Sequence, residues 1–302
     1  MKLSIVILTY NSERTVTETI RAAALVSDDI HVVDSFSSDA TCAAARQLGA
    51  HLVQHEFLNY AAQRNWAIEN LPLKHDWELH LDADEHLSDT LVAELNRLRP
   101  EEMPGGLAGY HVARLVRFLG RPIRHGGMFP IWHLRLFRRG AGRCEDREYD
   151  QHFIVSGPTG KLRGWIVDDI RMPLSEWIVR HNRWSDAEVR NLLNRAPGSL
   201  QVRPDLFGSP VQRKRYLRRV YGRFPLFSRA FLLFFYRYVL RGGFLDGKEG
   251  AVFFVLQTLW FRFLVDAKLF EQTLGSATTT ADTACIAETP RSLISGGPAR
   301  DR

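Results

Sequence analysis

Cysteine is scarce in this chain of 302 residues: Cys42, Cys144 and Cys285 stand far apart, with no Cys-x-x-Cys pair and no Cys/His cluster. That spacing argues against a disulfide framework and a zinc site, and a reducing compartment is expected. Two nucleotide-binding signatures are also missing. No Gly-x-Gly-x-x-Gly follows the first apolar run and no Gly-x-x-x-x-Gly-Lys-[Ser/Thr] occurs anywhere, which counts against a dinucleotide fold and a P-loop NTPase. The first apolar run, Leu3 to Leu8, is too short for a secretory leader and is followed at once by Thr9-Tyr10-Asn11. A first β-strand of a cytoplasmic protein is expected there.

What the chain does have is an excess of positive charge. Forty Lys and Arg against 34 Asp and Glu leave a net charge of +6, which favours an anionic partner: nucleic acid, an acidic lipid surface or a phosphorylated sugar. The length allows one large or two modest domains with a sizeable core.

The first hundred residues alternate between β-branched runs and helical periodicity. Leu3 to Leu8, Ile30 to Val33, His51 to Val53 and Trp77 to Leu81 read as strands. Val16, Ile20, Ala23 and Ala24, then Ala43 to Leu48, then Leu58, Ala61, Ala62 and Trp66 read as helices between them. This β-α-β-α-β-α-β order predicts an α/β fold with a Rossmann-like, mostly parallel sheet and helices on both faces. In such sheets ligands bind beyond the carboxyl ends of the strands. Polar groups stand at three of those ends: Thr9-Tyr10-Asn11, Asp34-Ser35 and Asp82-Ala83-Asp84-Glu85.

Acidic residues just past a strand are commonly solvated turn formers. Two carboxylates one residue apart at the end of an apolar strand are, however, unfavourable when buried unless a cation or proton neutralises them. Asp82 and Asp84 therefore point to a divalent metal and, behind it, a phosphate-bearing substrate.

The run Ile5 to Asn11, Val33-Asp34-Ser35 with Ser38-Asp39, Ala62-Gln63-Arg64-Asn65 and Leu81 to Glu85 together resemble the successive motifs of family 2 glycosyltransferases with the GT-A fold. The likeness is closest to the branch of bacterial lipopolysaccharide-core β-glucosyltransferases and exopolysaccharide enzymes. That branch also resembles this chain at Phe244 to Lys248 and Phe261 to Lys268, so the likeness spans residues 1 to 270. The resemblance implies an inverting transferase moving a sugar from a nucleotide-diphosphate donor, a UDP-sugar, to a lipid-linked, lipopolysaccharide or exopolysaccharide glycan. It implies Mg²⁺ or Mn²⁺ on Asp84, with Asp82 shared between metal and ribose and His152 as a third ligand. Such an ion would stabilise charge developing on the leaving diphosphate. Thr9, Tyr10, Asn11 and Asp34 are similar to the nucleobase and ribose cradle, and Gln63, Arg64 and Asn65 to the donor-binding helix. Nucleic acid is not an expected partner.

The acceptor hydroxyl needs a general base. Glu145, Asp146, Glu148 and Asp150 are the candidates. Lipopolysaccharide-core members carry a His-Glu-His type of sequence where this chain reads Asp150-Gln151-His152, and glutamine cannot take a proton. Asp150 is the expected base, Asp146 the next.

The expected layout is a catalytic domain over 1–200, divided into donor (1–100) and acceptor (101–200) halves, a basic and apolar helical region over 201–272, and a disordered tail over 273–302. Trp177, His181 and Trp184 fall on one helix face. Phe224 to Leu240 and Ala251 to Val265 are very apolar but interrupted by Arg229, Arg237 and Arg262, which leaves three readings: buried core, bilayer span, or helices lying in an anionic interface. The interfacial reading places the protein on the cytoplasmic face of the inner membrane, with an anionic lipid surface as partner. Two other functions share the sequence features: a nucleotidyltransferase on a similar sheet, and a membrane-associated relative that keeps the fold without catalysis.

Overall fold

The computed structural model describes residues 2–99, 106–146, 150–193, 203–208 and 210–287. The N-terminal part runs β1 (Ser4–Thr9), α1 (Val16–Ala24), β2 (Ile30–Asp34), α2 (Thr41–Gln47), β3 (His51–Gln54), α3 (Tyr60–Asn70), β4 (Trp77–Asp82), β5 (Glu85–Leu87) and α4 (Asp89–Arg97). The middle adds β6 (Gly109–Phe118), β7 (Arg121–Pro122), β8 (Ile131–Arg138), β9 (Gly142–Cys144), β10 (Phe153–Val155) and β11 (Thr159–Ile170). Helices α5 (Leu174–Leu193), α6 (Pro210–Tyr221), α7 (Ser228–Phe235), α8 (Gly247–Phe254) and α9 (Phe261–Ala287) follow, with π-type turns at Tyr236–Leu240 and Val255–Trp260 and a 3₁₀ turn at Gly243–Asp246.

One sheet carries the molecule, in the order β3-β2-β1-β4-β8-β6-β11-β5, with β7 paired to β6. The α/β architecture expected from the sequence is present. Strands β3, β2, β1 and β4 are parallel, whereas β8 runs antiparallel to both β4 and β6, and β5 antiparallel to β11. Burial on two faces explains the continuous apolar text of the first strands. Ile5 and Ile7 join the cluster under α1 and α4, while Val6 and Leu8 join Ala67 and Leu71 on the α3 face. Ser88 caps α4 by accepting from the Leu91 N–H at 3.2 Å, and Asn59 caps α3 through Ala62 N–H at 2.8 Å.

The register aligns the strand ends. Thr9 stands opposite Asp34, and Leu8 opposite Asp82, so the three polar clusters open on one edge. The C-terminal helices pack back onto the sheet. Phe253 and Phe254 of α8 share a core with Val116 and Phe118 of β6 and Trp177 of α5. Arg229 and Asp266 form a buried pair between α7 and α9. Helix α9 continues to Ala287, into the segment read from sequence as a disordered tail; residues 288–302 lie outside the described residues.

The long strand β11 was not legible in the sequence. Its core-facing positions are Leu162, Gly164 and Ile166, and the glycine interrupts the apolar alternation that would mark it. Gly164 is required there, because a Cβ at this position would lie 2.3 Å from the Leu91 Cα and 2.4 Å from its amide nitrogen. Gly164→Ala is expected to force α4 off β11 and lower stability by about 3 kcal/mol, read as a reduced urea midpoint.

Candidate active site

A cleft of about 1420 Å³ opens at the aligned strand ends, lined from β1 by Thr9 and Tyr10, from the β4–β5 turn by Asp82 and Asp84, from β11 by Asp168 and from α5 by Arg180 and Trp184. Asp82 is the organising residue. Its carboxylate is gripped by Arg64 of α3 on one oxygen and by Arg135 of β8 at 3.0 Å on the other. Glu85 accepts the Asp82 N–H at 2.9 Å and pairs with Arg135 at 2.6 Å. Burial alone would raise the Asp82 pKa, but the two guanidiniums outweigh it and hold the group below the usual carboxylate range. Glu85 is pushed the other way, to about 7, by burial that Arg135 only partly offsets.

Asp84, two residues on, has no such partner arginine in hydrogen-bond contact among the described residues. Burial, then the Asp168 and Asp82 carboxylates, push it well above the usual range, against the opposing pull of Arg180. Asp168 is raised as well, by burial that its Arg114 partner at 3.4 Å does not cancel. A cluster of carboxylates that cannot all ionise is a site with a deficit of positive charge. Such a deficit fits a divalent cation, and Asp84 is the carboxylate free to hold it. Asp82 differs from expectation: with both oxygens on arginines it is the anchor of the network and not an open ligand. His152 lines the same cleft but is engaged with other groups. Its Nε2 lies 3.6 Å from Asp150, its ring packs 5.6 Å from His133, and among the described residues no three of His, Cys, Asp and Glu converge to hold a metal.

The expected donor cradle divides into two groups. Tyr10 is 63% exposed and lines the cleft with Thr9, Asn11, Gln63 and Arg64. Asn11 adopts φ 47° and its side chain accepts from Ser38 N–H at 2.9 Å, fixing the loop beside Tyr10. Gln63 is held by His55 at 2.7 Å. Asp34, by contrast, is fully buried and does not line the cleft. Its oxygens accept from Thr9 Oγ1 at 2.9 Å, Ser37 N–H at 2.8 Å and Gln54 Nε2 at 3.1 Å, which makes it the organiser of the β2 loop and leaves it no free face for a base. Asn65 is likewise spent internally, its amide bridging both backbone groups of Cys144 at 2.8 and 3.1 Å and so pinning β9 to α3.

The expected general base is the largest departure. Asp150 sits between Lys214 at 2.8 Å, Arg215 at 3.2 Å and Arg218 at 2.6 Å, all on α6. Burial would raise its pKa, but Lys214, His152 and the two arginines hold it well below the carboxylate range. A carboxylate so stabilised as the anion is a weak proton acceptor. Glu145 is buried against Arg215, Asp146 is exposed and outside the cleft lining, and Glu148 lies outside the described residues. Asp168, Arg135 and Arg180 are the cleft residues that sequence reasoning missed. The signal for the first was the Val167-Asp168-Asp169-Ile170 run, an apolar–acidic alternation of the kind already noticed at β4.

Residues 4–102 match the model of glycosyl transferase family 2. The matched stretch ends just short of β6 and contains the parallel strands β1 to β4. An uncharacterized glycosyltransferase of Rickettsia conorii is 35% identical over 115 residues, covering 38% of this chain and 40% of that protein. One from Rickettsia typhi is 31% identical over 119 residues, covering 39% and 40%. The aligned part thus spans 40% of the length of these curated relatives. Among solved structures, a mannosyltransferase from Pyrobaculum calidifontis in complex with GDP-Man and Mn²⁺ covers 94% of this chain and 80% of its own, at 16% identity and a TM-score of 0.44. Glucosyl-3-phosphoglycerate synthase from Mycobacterium tuberculosis, with Mn²⁺ and UDP-glucose, covers 38% and 44% at 21% identity and a TM-score of 0.30.

Asp84 and Asp150 should move stability in opposite directions. The folded-state pKa of Asp84 is raised, so its ionised form costs stability at neutral pH, and Asp84→Asn should stabilise the metal-free protein by on the order of 1 kcal/mol, a gain that vanishes below about pH 4. The pKa of Asp150 is depressed, so its contribution is present at neutral pH and lost as pH falls through the acid range. Asp150→Asn should cost about 3 kcal/mol at pH 7 and progressively less in acid. Thermal melts from pH 3 to 8 check both signs.

Proposed function

We propose that the protein is an inverting glycosyltransferase that moves a sugar from a nucleotide-diphosphate donor, a UDP-sugar, to a lipid-linked, lipopolysaccharide or exopolysaccharide glycan. The observation that carries this reading is Asp84, a half-buried carboxylate short of positive charge, in a cleft also lined by Thr9, Tyr10 and Asn11 at the end of β1. The family 2 match over the same strands supports it.

In this reading Tyr10 stacks on or packs against the nucleobase, with Asn11 holding its loop. Asp84 holds Mg²⁺ or Mn²⁺, which when bound supplies Lewis-acid stabilisation to the leaving diphosphate. Arg64 and Arg135 keep Asp82 ionised and fixed, which orients the β4–β5 turn that carries Asp84. Arg180, stacked 4.8 Å over Trp184, adds positive charge on the opposite wall of the cleft. Asp150 and Asp168 both line the cleft, and removal of the acceptor proton falls to Asp168, whose pKa is raised, while Asp150 and Glu145 are committed to cations of α6. Direct displacement would give a β-glycoside from an α-linked donor.

The commitment of Asp150 also favours a second reading, a relative that binds donor without transferring sugar. The two separate in one experiment. Melting the protein with Mn²⁺ and UDP-, GDP- or dTDP-sugars should raise the midpoint with one of them, by about 2.7 kcal/mol of stabilisation at a hundredfold excess over Kd. Asp84→Ala should abolish the Mn²⁺-dependent part and lower donor hydrolysis on the order of 100-fold. Asp168→Asn should keep binding and lose turnover. Stabilisation without turnover in the wild type would favour the non-catalytic reading, and no stabilisation by any nucleotide would end both.

The surface of the C-terminal helices supports membrane attachment, on the cytoplasmic face of the inner membrane. Phe231, Phe235, Tyr236, Leu240, Phe244 and Leu245 are all exposed on α7 and the two turns that follow it. One helical stretch, Gly243–Leu274, is long and apolar enough to cross a bilayer, with 39% of its most apolar window buried against the protein. Large exposed apolar patches mark interaction surfaces. Interfacial attachment predicts that carbonate washing releases the protein from membranes. Retention after carbonate would favour a spanning helix, and full recovery in the soluble fraction at low salt would rule out attachment.

A further inference from the structure

Arg237 is a guanidinium set into apolar surroundings without an acid. It stands in the π-type turn after α7, and its Nη1 lies 2.5 Å from the sulfur of Met128, the hydrogen-bond contact that its side chain makes among the described residues. Its pKa falls to about 10, first through burial and then through repulsion by Arg262 and Arg241. Asp246, in the 3₁₀ turn that follows, is already engaged: it accepts from the Arg124 and His125 N–H groups at 3.1 and 2.9 Å and pairs with His125 Nδ1 at 2.7 Å. Arg241, four residues on, is exposed, and its guanidinium bonds the Tyr236 hydroxyl at 3.1 Å. A half-buried guanidinium repelled by two others, and bonded to no carboxylate among the described residues, is a favourable place for an anion.

The loop facing these arginines is built for close approach. Gly126 and Gly127 have φ of 64° and 69°, a conformation that side chains rarely adopt. A Cβ on Gly126 would lie 2.2 Å from the Phe254 ring and 3.1 Å from the Arg237 carbonyl, and one on Gly127 would lie 3.7 Å from the Arg241 guanidinium. The Gly126 N–H bonds the Arg241 carbonyl at 3.0 Å, tying loop and turn into one unit.

Position decides the class of anion. Met128 lines the main cleft on one side and touches Arg237 on the other. Around the same turn Phe235, Tyr236, Val239, Leu240 and Phe244 are exposed. We infer that Arg237 and Arg241 form a binding site for the phosphate of a lipid, at the point where the cleft rim meets the apolar surface. Two arginines suit a phosphate, which accepts several charge-assisted hydrogen bonds, and the neighbouring aromatic and aliphatic side chains suit the chain that follows it. The site deepens the proposed lipid-linked acceptor and rests on that reading for the acceptor alone, because the arginines stand apart from Asp84 and the β1 loop.

Flotation with vesicles tests it. Wild-type protein should bind phosphatidylcholine vesicles containing phosphatidic acid more tightly than pure phosphatidylcholine. Arg237→Met, which keeps the contact with Met128 apolar, and Arg241→Gln, at an exposed position, should each weaken phosphatidic-acid binding about fivefold and leave phosphatidylcholine binding unchanged. Nucleotide-dependent thermal shifts should be the same in both variants as in the wild type, so a failed donor reading and a failed lipid site are told apart. If Arg237→Met does not fold, Arg241→Gln carries the test alone. Equal binding to both vesicle types, unchanged phosphatidic-acid binding in the variants, or equal competition by inorganic phosphate and phosphatidic acid would each overturn the inference.

Discussion

The grip of Arg64 and Arg135 on Asp82 is the interaction on which the cleft depends. It joins three elements that meet nowhere else in sequence: α3 brings Arg64, β8 brings Arg135, and the β4–β5 turn brings Asp82 and Glu85. A buried network of this kind is costly to assemble, and removing one member would strand a charge, so its value lies in fixing geometry more than in adding stability. By saturating Asp82 it leaves the neighbouring Asp84 without a partner. The polarity of the site follows from that asymmetry: one carboxylate is neutralised by two arginines, and the next has no arginine in hydrogen-bond contact among the described residues.

The parallel half of the sheet was legible because buried parallel strands write their burial into uninterrupted apolar runs. Ile5 to Leu8 and Ile30 to Val33 show this directly, and the helices between them show their period. The second half was harder to read for physical reasons. Strand β11 buries Leu162 and Ile166 around Gly164, whose side of the sheet is filled by the Leu91 backbone and carries no side chain to mark the pattern. The site divides the same way. Tyr10, Asn11 and Asp84, which the sequence places just past strand ends, line the cleft. Asp34, at another strand end, and Asn65, on α3, are each consumed by partners that only the folded chain brings near: Gln54 lies 20 residues from Asp34, and Cys144 lies 79 from Asn65.

The misplaced base has the same origin. The Asp150 loop reads as a patch of free acids because its counter-charges are 64 to 68 residues away on α6. The basic run Arg213 to Arg219 looks in isolation like a surface for anionic partners. In the fold, three of its cations turn inward, where Arg218 also meets Glu188 of α5. Much of the net positive charge in this region is therefore internal to the protein, and total charge overstates what its surface offers a partner.

That redistribution bears on how the C-terminal helices can meet a membrane. Once Lys214, Arg215 and Arg218 are committed to Asp150, Glu145 and Glu188, and Arg229 to Asp266, attraction to an anionic surface rests on fewer residues, such as Arg241 beside the exposed aromatic groups. Each basic residue near such a surface contributes only about 1 kcal/mol, and salt screens it over about 8 Å at physiological strength. The apolar face must then supply most of any attachment. Attachment of that kind is tolerant of salt, and it orients the molecule by the shape of its exposed rings. Because Phe253 and Gln257 line the cleft from segments that pack against α7 and the turns bearing those rings, seating the rings in a bilayer would also set the direction in which the cleft opens.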